Sequence, residues 1–97
     1  MNKYYFTNKA VEDLSEIWNY TLEAWSERQA DKYYDLLLIS CSDLAKNSKI
    51  GKSYDILSKG ILGYKSGEHI IFYRTIASNT IEIVRILDGM MDLKCKL

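Results

Sequence analysis

One histidine, His69, lies in the run Glu68-His69-Ile70-Ile71-Phe72-Tyr73-Arg74, and no other side chain of the sequence has an unperturbed pKa close to neutrality. Proton transfer by such a ring requires a partner. Cys41 is the formal candidate for a Cys-His nucleophile pair, yet it falls within the apolar stretch around Leu36-Leu37-Leu38-Ile39 and reads as a buried thiol. His69 reads first as a hydrogen-bonded histidine beside a turn. With one His and two separated cysteines, Cys41 and Cys95, neither a zinc ligand set nor a disulfide framework can be assembled. The glycines at 51, 60, 63, 67 and 89 match no phosphate-cradling spacing, so no metal and no nucleotide or other cofactor is expected. Arg74 and Arg85 are the remaining groups of chemical interest. Each reads either as one half of a structural ion pair, with Glu82 or Asp88 on a neighbouring strand, or as a group facing a partner.

These side chains must be positioned by elements that the hydrophobic spacing defines. Tyr4-Tyr5-Phe6-Thr7 has the composition of a short strand, and Thr7-Asn8 supplies helix N-cap residues directly after it. From there Val11, Leu14, Trp18, Thr21 and Trp25, with Ile17 and Leu22 beside them, form the apolar stripe of an amphipathic helix. Ser26-Glu27-Arg28-Gln29 reads as a capping box, so a second helix, from Glu27 to about Lys46, starts at once and the two form an antiparallel hairpin. Its middle, residues 33–39, is apolar nearly all the way round. That pattern suits a helix wedged between its partner helix and a sheet, and secondarily a helix with one flank left for a partner protein.

Residues 47–58 form a polar connection with Gly51 as a turn residue. Ile61 to Lys65, Glu68 to Ile76 and Thr80 to Leu87 are β-branched or aromatic runs separated by turn-like tetrapeptides, which predicts a three-strand meander. The fold class is therefore α+β, in the order β-α-α-β-β-β, an antiparallel sheet with a helix hairpin packed on one face. Along the middle strand His69, Ile71 and Tyr73 share one side while Ile70, Phe72 and Arg74 share the other. If the helices cover Ile71 and Tyr73, the opposite side remains open with two apolar groups and an arginine, a surface suited to docking.

Ninety-seven residues make a single domain, 1–97, and the thirteen basic and thirteen acidic side chains give a net charge of zero. Global charge cannot drive polyanion binding, so no sequence-specific nucleic-acid binding is expected. The longest apolar run, Leu36 to Ile39, is far below the roughly 20 residues of a membrane span, and no signal-peptide core follows Met1. A cytoplasmic location and no membrane partner are expected.

Several pieces occur in order along the chain: Ala10-x-x-Asp13-Leu14-x-x-Ile17-x-x-Tyr20, Ala30-x-x-Tyr33, Leu44-Ala45-x-Asn47, Ile50-Gly51-Lys52, Gly60-Ile61-Leu62, Gly67-x-His69-x-Ile71-Phe72-Tyr73-Arg74, Ile83-Val84-Arg85-Ile86-Leu87 and Met91-Asp92-Leu93. Together they resemble the ParE branch of the RelE/ParE toxin superfamily. The resemblance spans nearly the whole chain. It implies a toxin of a type II toxin-antitoxin system that inhibits DNA gyrase by binding, without catalysis, and is neutralised in a hetero-oligomer with a ParD-like antitoxin. The alternatives are a RelE-like ribosome-dependent mRNA endoribonuclease and a non-toxic scaffold that only binds antitoxin. Nuclease relatives tend to carry an arginine where this chain has Ile70 and a cation or histidine near Met90. Tyr33, Tyr34, Leu37, Ile70, Phe72 and Arg74 are expected to face the antitoxin, with Tyr34 and Phe72 as aromatic anchors. Arg85, Met90, Met91 and Leu93 are expected to face the target. Met suits such adaptable contacts, although the tail from Met90 could equally cover the sheet edge.

Overall fold

A computed structural model describes residues 3–55 and 57–89. The elements follow the predicted order: β1 (Lys3–Phe6), α1 (Asn8–Ala24), α2 (Glu27–Lys46), a 3-10 turn at Ser48–Ile50, β2 (Lys52–Ser53), β3 (Leu62–Ser66), β4 (His69–Ala77) and β5 (Thr80–Asp88). Thr7 joins the first two. Its hydroxyl accepts from the Ala10 amide at 3.1 Å and donates to the Val84 carbonyl at 2.7 Å, so the cap of α1 is also fastened to β5. Ser26 caps α2 by accepting from the Gln29 amide at 3.1 Å. Since Trp25 and Ser26 alone connect the helices, α2 must fold back along α1.

The sheet order is β1-β5-β4-β3-β2. β3, β4 and β5 form the expected antiparallel meander, whereas β1 lies parallel to β5, pairing Lys3 with Thr80 and Phe6 with Ile83, so the sheet is mixed. The Thr7 bonds to β5 account for the direction of β1: its amide donates to the Ile83 carbonyl at 3.0 Å, which aligns the N-terminal strand with β5 just before α1 departs. β2, inside a segment expected to be loop, adds a short edge opposite Gly63 and Leu62.

The main core lies between the hairpin and one sheet face, where Leu14, Leu37, Cys41 and Leu44 meet Ile71, Tyr73, Ile81, Ile83 and Ile86. The helices thus cover the Ile71 and Tyr73 side, as the alternation requires. The stripe of α1 is turned one position from the predicted one: Ala10, Asp13, Leu14 and Thr21 are buried, while Val11, Leu22 and Trp25 are exposed. Small Ala10 permits close approach to the sheet, and Asp13 has its partners there.

The opposite sheet face corrects the expectation of an open surface. The chain between β2 and β3 folds over it, and Tyr54, Leu57 and Ile61 pack on Phe72, Leu87, Ile70 and Val84. Tyr54 and Phe72 meet edge to face, with centroids 5.2 Å apart. Phe72 is therefore a core residue at 0% exposure and offers no docking surface. Leu37, equally buried, holds α2 to the sheet rather than facing outward.

Gly51 marks a close approach. A β-carbon there would lie 2.7 Å from Cζ of the buried Tyr73, whose hydroxyl donates to the Ser48 carbonyl at 2.7 Å. Gly51→Ala must displace either this ring or the 3-10 turn, so urea denaturation should show a loss of about 1–3 kcal/mol. A stability within experimental error of the parent would show that the contact is soft.

Candidate functional site

Asp13 is the acidic residue that the predicted α1 stripe left without a role. Its carboxylate accepts from Arg85 Nε at 2.8 Å, from Arg85 Nη2 at 3.0 Å and from the Ile86 amide at 3.0 Å. Helix and last strand are thus joined by a bidentate pair. The Asp13 side chain is 9% exposed and that of Arg85 18%, and the carboxylate holds the guanidinium pKa above its ordinary value. Arg85, expected to face a target, is committed to this link. The strand register alone does not suggest it, but a carboxylate one position before Leu14 on a buried face is the signal that a cation must come from elsewhere in the fold.

Beside this pair opens a cleft of about 800 Å³ between the second half of α1, the start of α2, the β3-β4 turn and the end of β5. Glu16, Tyr20 and Trp25 of α1 form one wall, and Glu68, His69 and Asp88 face it from the sheet. Tyr20 and Trp25 are 72% and 76% exposed, the highest fractions among the large hydrophobic side chains of the described residues. Tyr33 closes the base of the cleft. Its hydroxyl accepts from the Glu68 amide at 2.9 Å and is hydrogen-bonded to His69 Nδ1, which fixes the β3-β4 turn against α2.

Since Tyr33 occupies Nδ1 and burial lowers the His69 pKa, the imidazole is neutral near pH 7, even though Asp88, Glu68 and Asp13 all pull the other way. His69 is thus the bonded histidine beside a turn that its position suggested. Cys41 is far less reactive still: burial pushes its thiol up to about 12. Among the described residues, no three His, Cys, Asp or Glu side chains converge on a metal site.

The other expected contact residues are dispersed. Tyr33 and Tyr34 are half-buried against the main core, and Tyr34 also lines a shallow groove with Trp18 and Asp31, whose carboxylate accepts from the Trp18 indole at 3.1 Å. Ile70 is half-buried beneath the 54–61 chain, and Arg74 forms the cross-strand ion pair with Glu82, at 2.8 Å. Met90, Met91 and Leu93 lie outside the described residues. Leu36 and Ile39 of α2 are exposed, as are Tyr20 and Leu22 of α1 and Trp25 at its C-cap. Periodicity alone had assigned Trp25 to the core.

Residues 4–93 match the family described as the ParE toxin of the type II toxin-antitoxin system, parDE. The chain belongs to the ParE toxin family. It is 33% identical over 92 residues to Toxin ParE1 of Mycobacterium tuberculosis, covering 95% of this chain and 94% of that one. Toxin ParE1 of Caulobacter vibrioides is 30% identical over 97 residues, covering 100% and 99%. A solved structure titled as the chromosomal ParDE TA system from P. aeruginosa superposes with a TM-score of 0.75 over 91% of this chain and 95% of that one, at 19% identity. The two chains therefore share a fold at low identity. Within this ParE chain the Ala10-x-x-Asp13-Leu14 motif does its work through the Asp13 link to Arg85.

Removing the guanidinium should expose how much rests on that link. Arg85→Ala leaves the Asp13 carboxylate buried with the Ile86 amide, so thermal and urea unfolding should show a loss of about 3 kcal/mol. Asp13→Asn keeps an acceptor for that amide and should cost less. His69 supplies a pH test. Because its folded pKa lies below 6.5, the unfolded chain binds the proton first; its contribution is fully present above the unfolded pKa and is lost as pH falls through the folded one. His69→Gln should remove that component of the stability-pH curve, measured by difference from the parent so that carboxylate titration cancels.

Proposed function

We propose that this ParE toxin arrests growth by binding DNA gyrase in the cytoplasm, without catalysis, and is held inactive by a ParD-like antitoxin in a hetero-oligomeric complex. The observation that carries the reading is the surface of the helix hairpin. Leu36 and Ile39 on α2, and Tyr20, Leu22 and Trp25 on α1, leave large apolar side chains in water on a chain of zero net charge. Such a surface suits a protein partner laid along the hairpin. Family membership and the ParDE title of the solved relative support a ParD-like occupant. Half-buried Tyr33 and Tyr34 and exposed Arg74 remain contact candidates, whereas Phe72 and Leu37 act only by holding the surface in shape.

The chemistry of the strand supports binding over RNA cleavage. Ile70 packs with Phe72, where nuclease relatives tend to place an arginine, and the His69 Nδ1 is taken by Tyr33. Contact with the target is assigned to the tail from Met90 through Met91 and Leu93. Arg85 sets the strand from which that tail departs.

Purified toxin should inhibit gyrase supercoiling and trap cleaved DNA, and prior addition of the antitoxin should abolish both effects. Truncation after Asp88 should leave antitoxin binding intact and remove the inhibition. Induction that instead stops translation, with transcripts cut on ribosomes, would replace this reading with the nuclease one.

A further inference from the structure

The cleft beside the Asp13 link combines two features that neither the core nor the ion pair explains. Four carboxylates, of Asp13, Glu16, Glu68 and Asp88, line it against one guanidinium, that of Arg85, and His69 is neutral. In a chain of zero net charge this concentrates negative potential in one concavity. The field is felt by its neighbours: Glu16 and Glu12 add to the raised pKa of Arg85, and Asp88, Glu68 and Asp13 act in the same sense on His69. At the mouth of the same cleft stand Tyr20 and Trp25, both with most of their surface in water. Aromatic faces beside carboxylates are what a guanidinium requires, since it stacks on a ring while its N–H groups pair with oxygens.

We propose that the ParE cleft receives an arginine side chain of the antitoxin, stacked at Trp25 and Tyr20 and paired with Glu16 and Glu68. The inference rests on the antitoxin reading above and deepens it by naming the chemistry of one contact. Tyr20 and Trp25 belong both to the cleft and to the exposed surface of the hairpin, so a segment lying over them reaches the mouth directly. Arginine suits this place better than lysine, because a compact ammonium cannot both cover a ring and bridge carboxylates from opposite walls. Asp13 is already engaged with Arg85; Glu16 on the helix wall and Glu68 on the turn supply acceptors from the two walls, with Asp88 as a third carboxylate of the cleft.

Two measurements on the full chain test this. In the first, N-acetylarginine amide is titrated into the free toxin and the indole N–H resonances are followed. Trp25 should shift while Trp18, bonded to Asp31, does not, and the uncharged isostere N-acetylcitrulline amide should shift neither. In the second, calorimetry with the antitoxin should show Glu16→Gln and Trp25→Ala each weakening affinity about tenfold, with a shallower salt dependence for Glu16→Gln. Equal shifts with the two amides, or a Trp25 resonance that moves only with protein concentration, overturn the proposal, the latter in favour of a second copy. An antitoxin that binds parent and variants equally overturns it while leaving the antitoxin reading intact. A parent chain that binds no antitoxin removes both.

Discussion

The Asp13 carboxylate, held by Arg85 and the Ile86 amide, fixes where α1 sits on the sheet. An amphipathic helix can slide or roll on an apolar face at modest cost, because hydrophobic contact has no direction. A bidentate ion pair cannot. Its three hydrogen bonds place one turn of α1 over one residue pair of β5, and the inward stripe, Ala10, Leu14 and Thr21 with half-buried Ile17, follows from that rotation. Tyr20 and Leu22 are consequently turned outward, and the cleft opens between the second half of α1 and the end of β5. Two further polar contacts tie the rest to this frame: Ser40 with Ser66 at 2.7 Å joins α2 to β3, and Tyr33 with Glu68 and His69 joins α2 to the β3-β4 turn. The apolar core supplies the bulk of the stability, and these few polar bonds select one arrangement of it.

What the sequence made legible is what local chemistry decides. The capping side chains of Thr7 and Ser26 mark the helix starts, and the alternation through Glu68 to Arg74 assigns Ile71 and Tyr73 to the helix side. The Arg74-Glu82 pair is likewise a neighbour in register. The failures are contacts between residues far apart in the chain. Arg85 finds Asp13 across the helix-sheet layer, β1 finds β5 in parallel through Thr7, and Phe72 is covered by Tyr54 and Leu57 from a segment whose polar composition reads as a plain connection. In that last case the apolar residues Tyr54, Leu57 and Ile61, in the run Tyr54-Asp55-Ile56-Leu57-Ser58-Lys59-Gly60-Ile61, were the available signal. Their i, i+3, i+7 spacing is that of one helical face, but a run of eight residues with Ser58, Lys59 and Gly60 before its last member is too short and too turn-like to be told from a plain connection.

The same reasoning explains why Trp25 was misplaced. Hydropathy treats it as the end of a stripe, but it occupies the C-cap of α1, where the backbone leaves helical geometry at φ −130° and ψ −88°. A side chain at that point no longer follows the 100° advance of the helix, so periodicity carries no information about its direction. Because only Ser26 separates Trp25 from α2, no loop is available to cover the ring. The short connection that makes the hairpin compact thus leaves a large aromatic group in water at the mouth of an acidic cleft.

This arrangement divides the protein's two sheet faces between different duties. One face buries Phe72 and Leu87 beneath the 54–61 chain, and its ion pair, Arg74 with Glu82, is a solvent-exposed contact worth little to stability. The other carries the helices, whose outer surface presents Tyr20, Leu22, Leu36 and Ile39 to solvent, while the sheet exposes Tyr5 and Ile76. A surface on two capped helices keeps its backbone shape before a partner arrives, since the backbone groups are already bonded. The acidic concavity beside it then contributes direction. Apolar contact along α1 and α2 would accept many amphipathic segments, whereas a carboxylate-lined cleft favours one that places a cation at that point and disfavours one that places an anion there. Neutral net charge makes this discrimination local, because no overall field competes with the few charges that line the cleft.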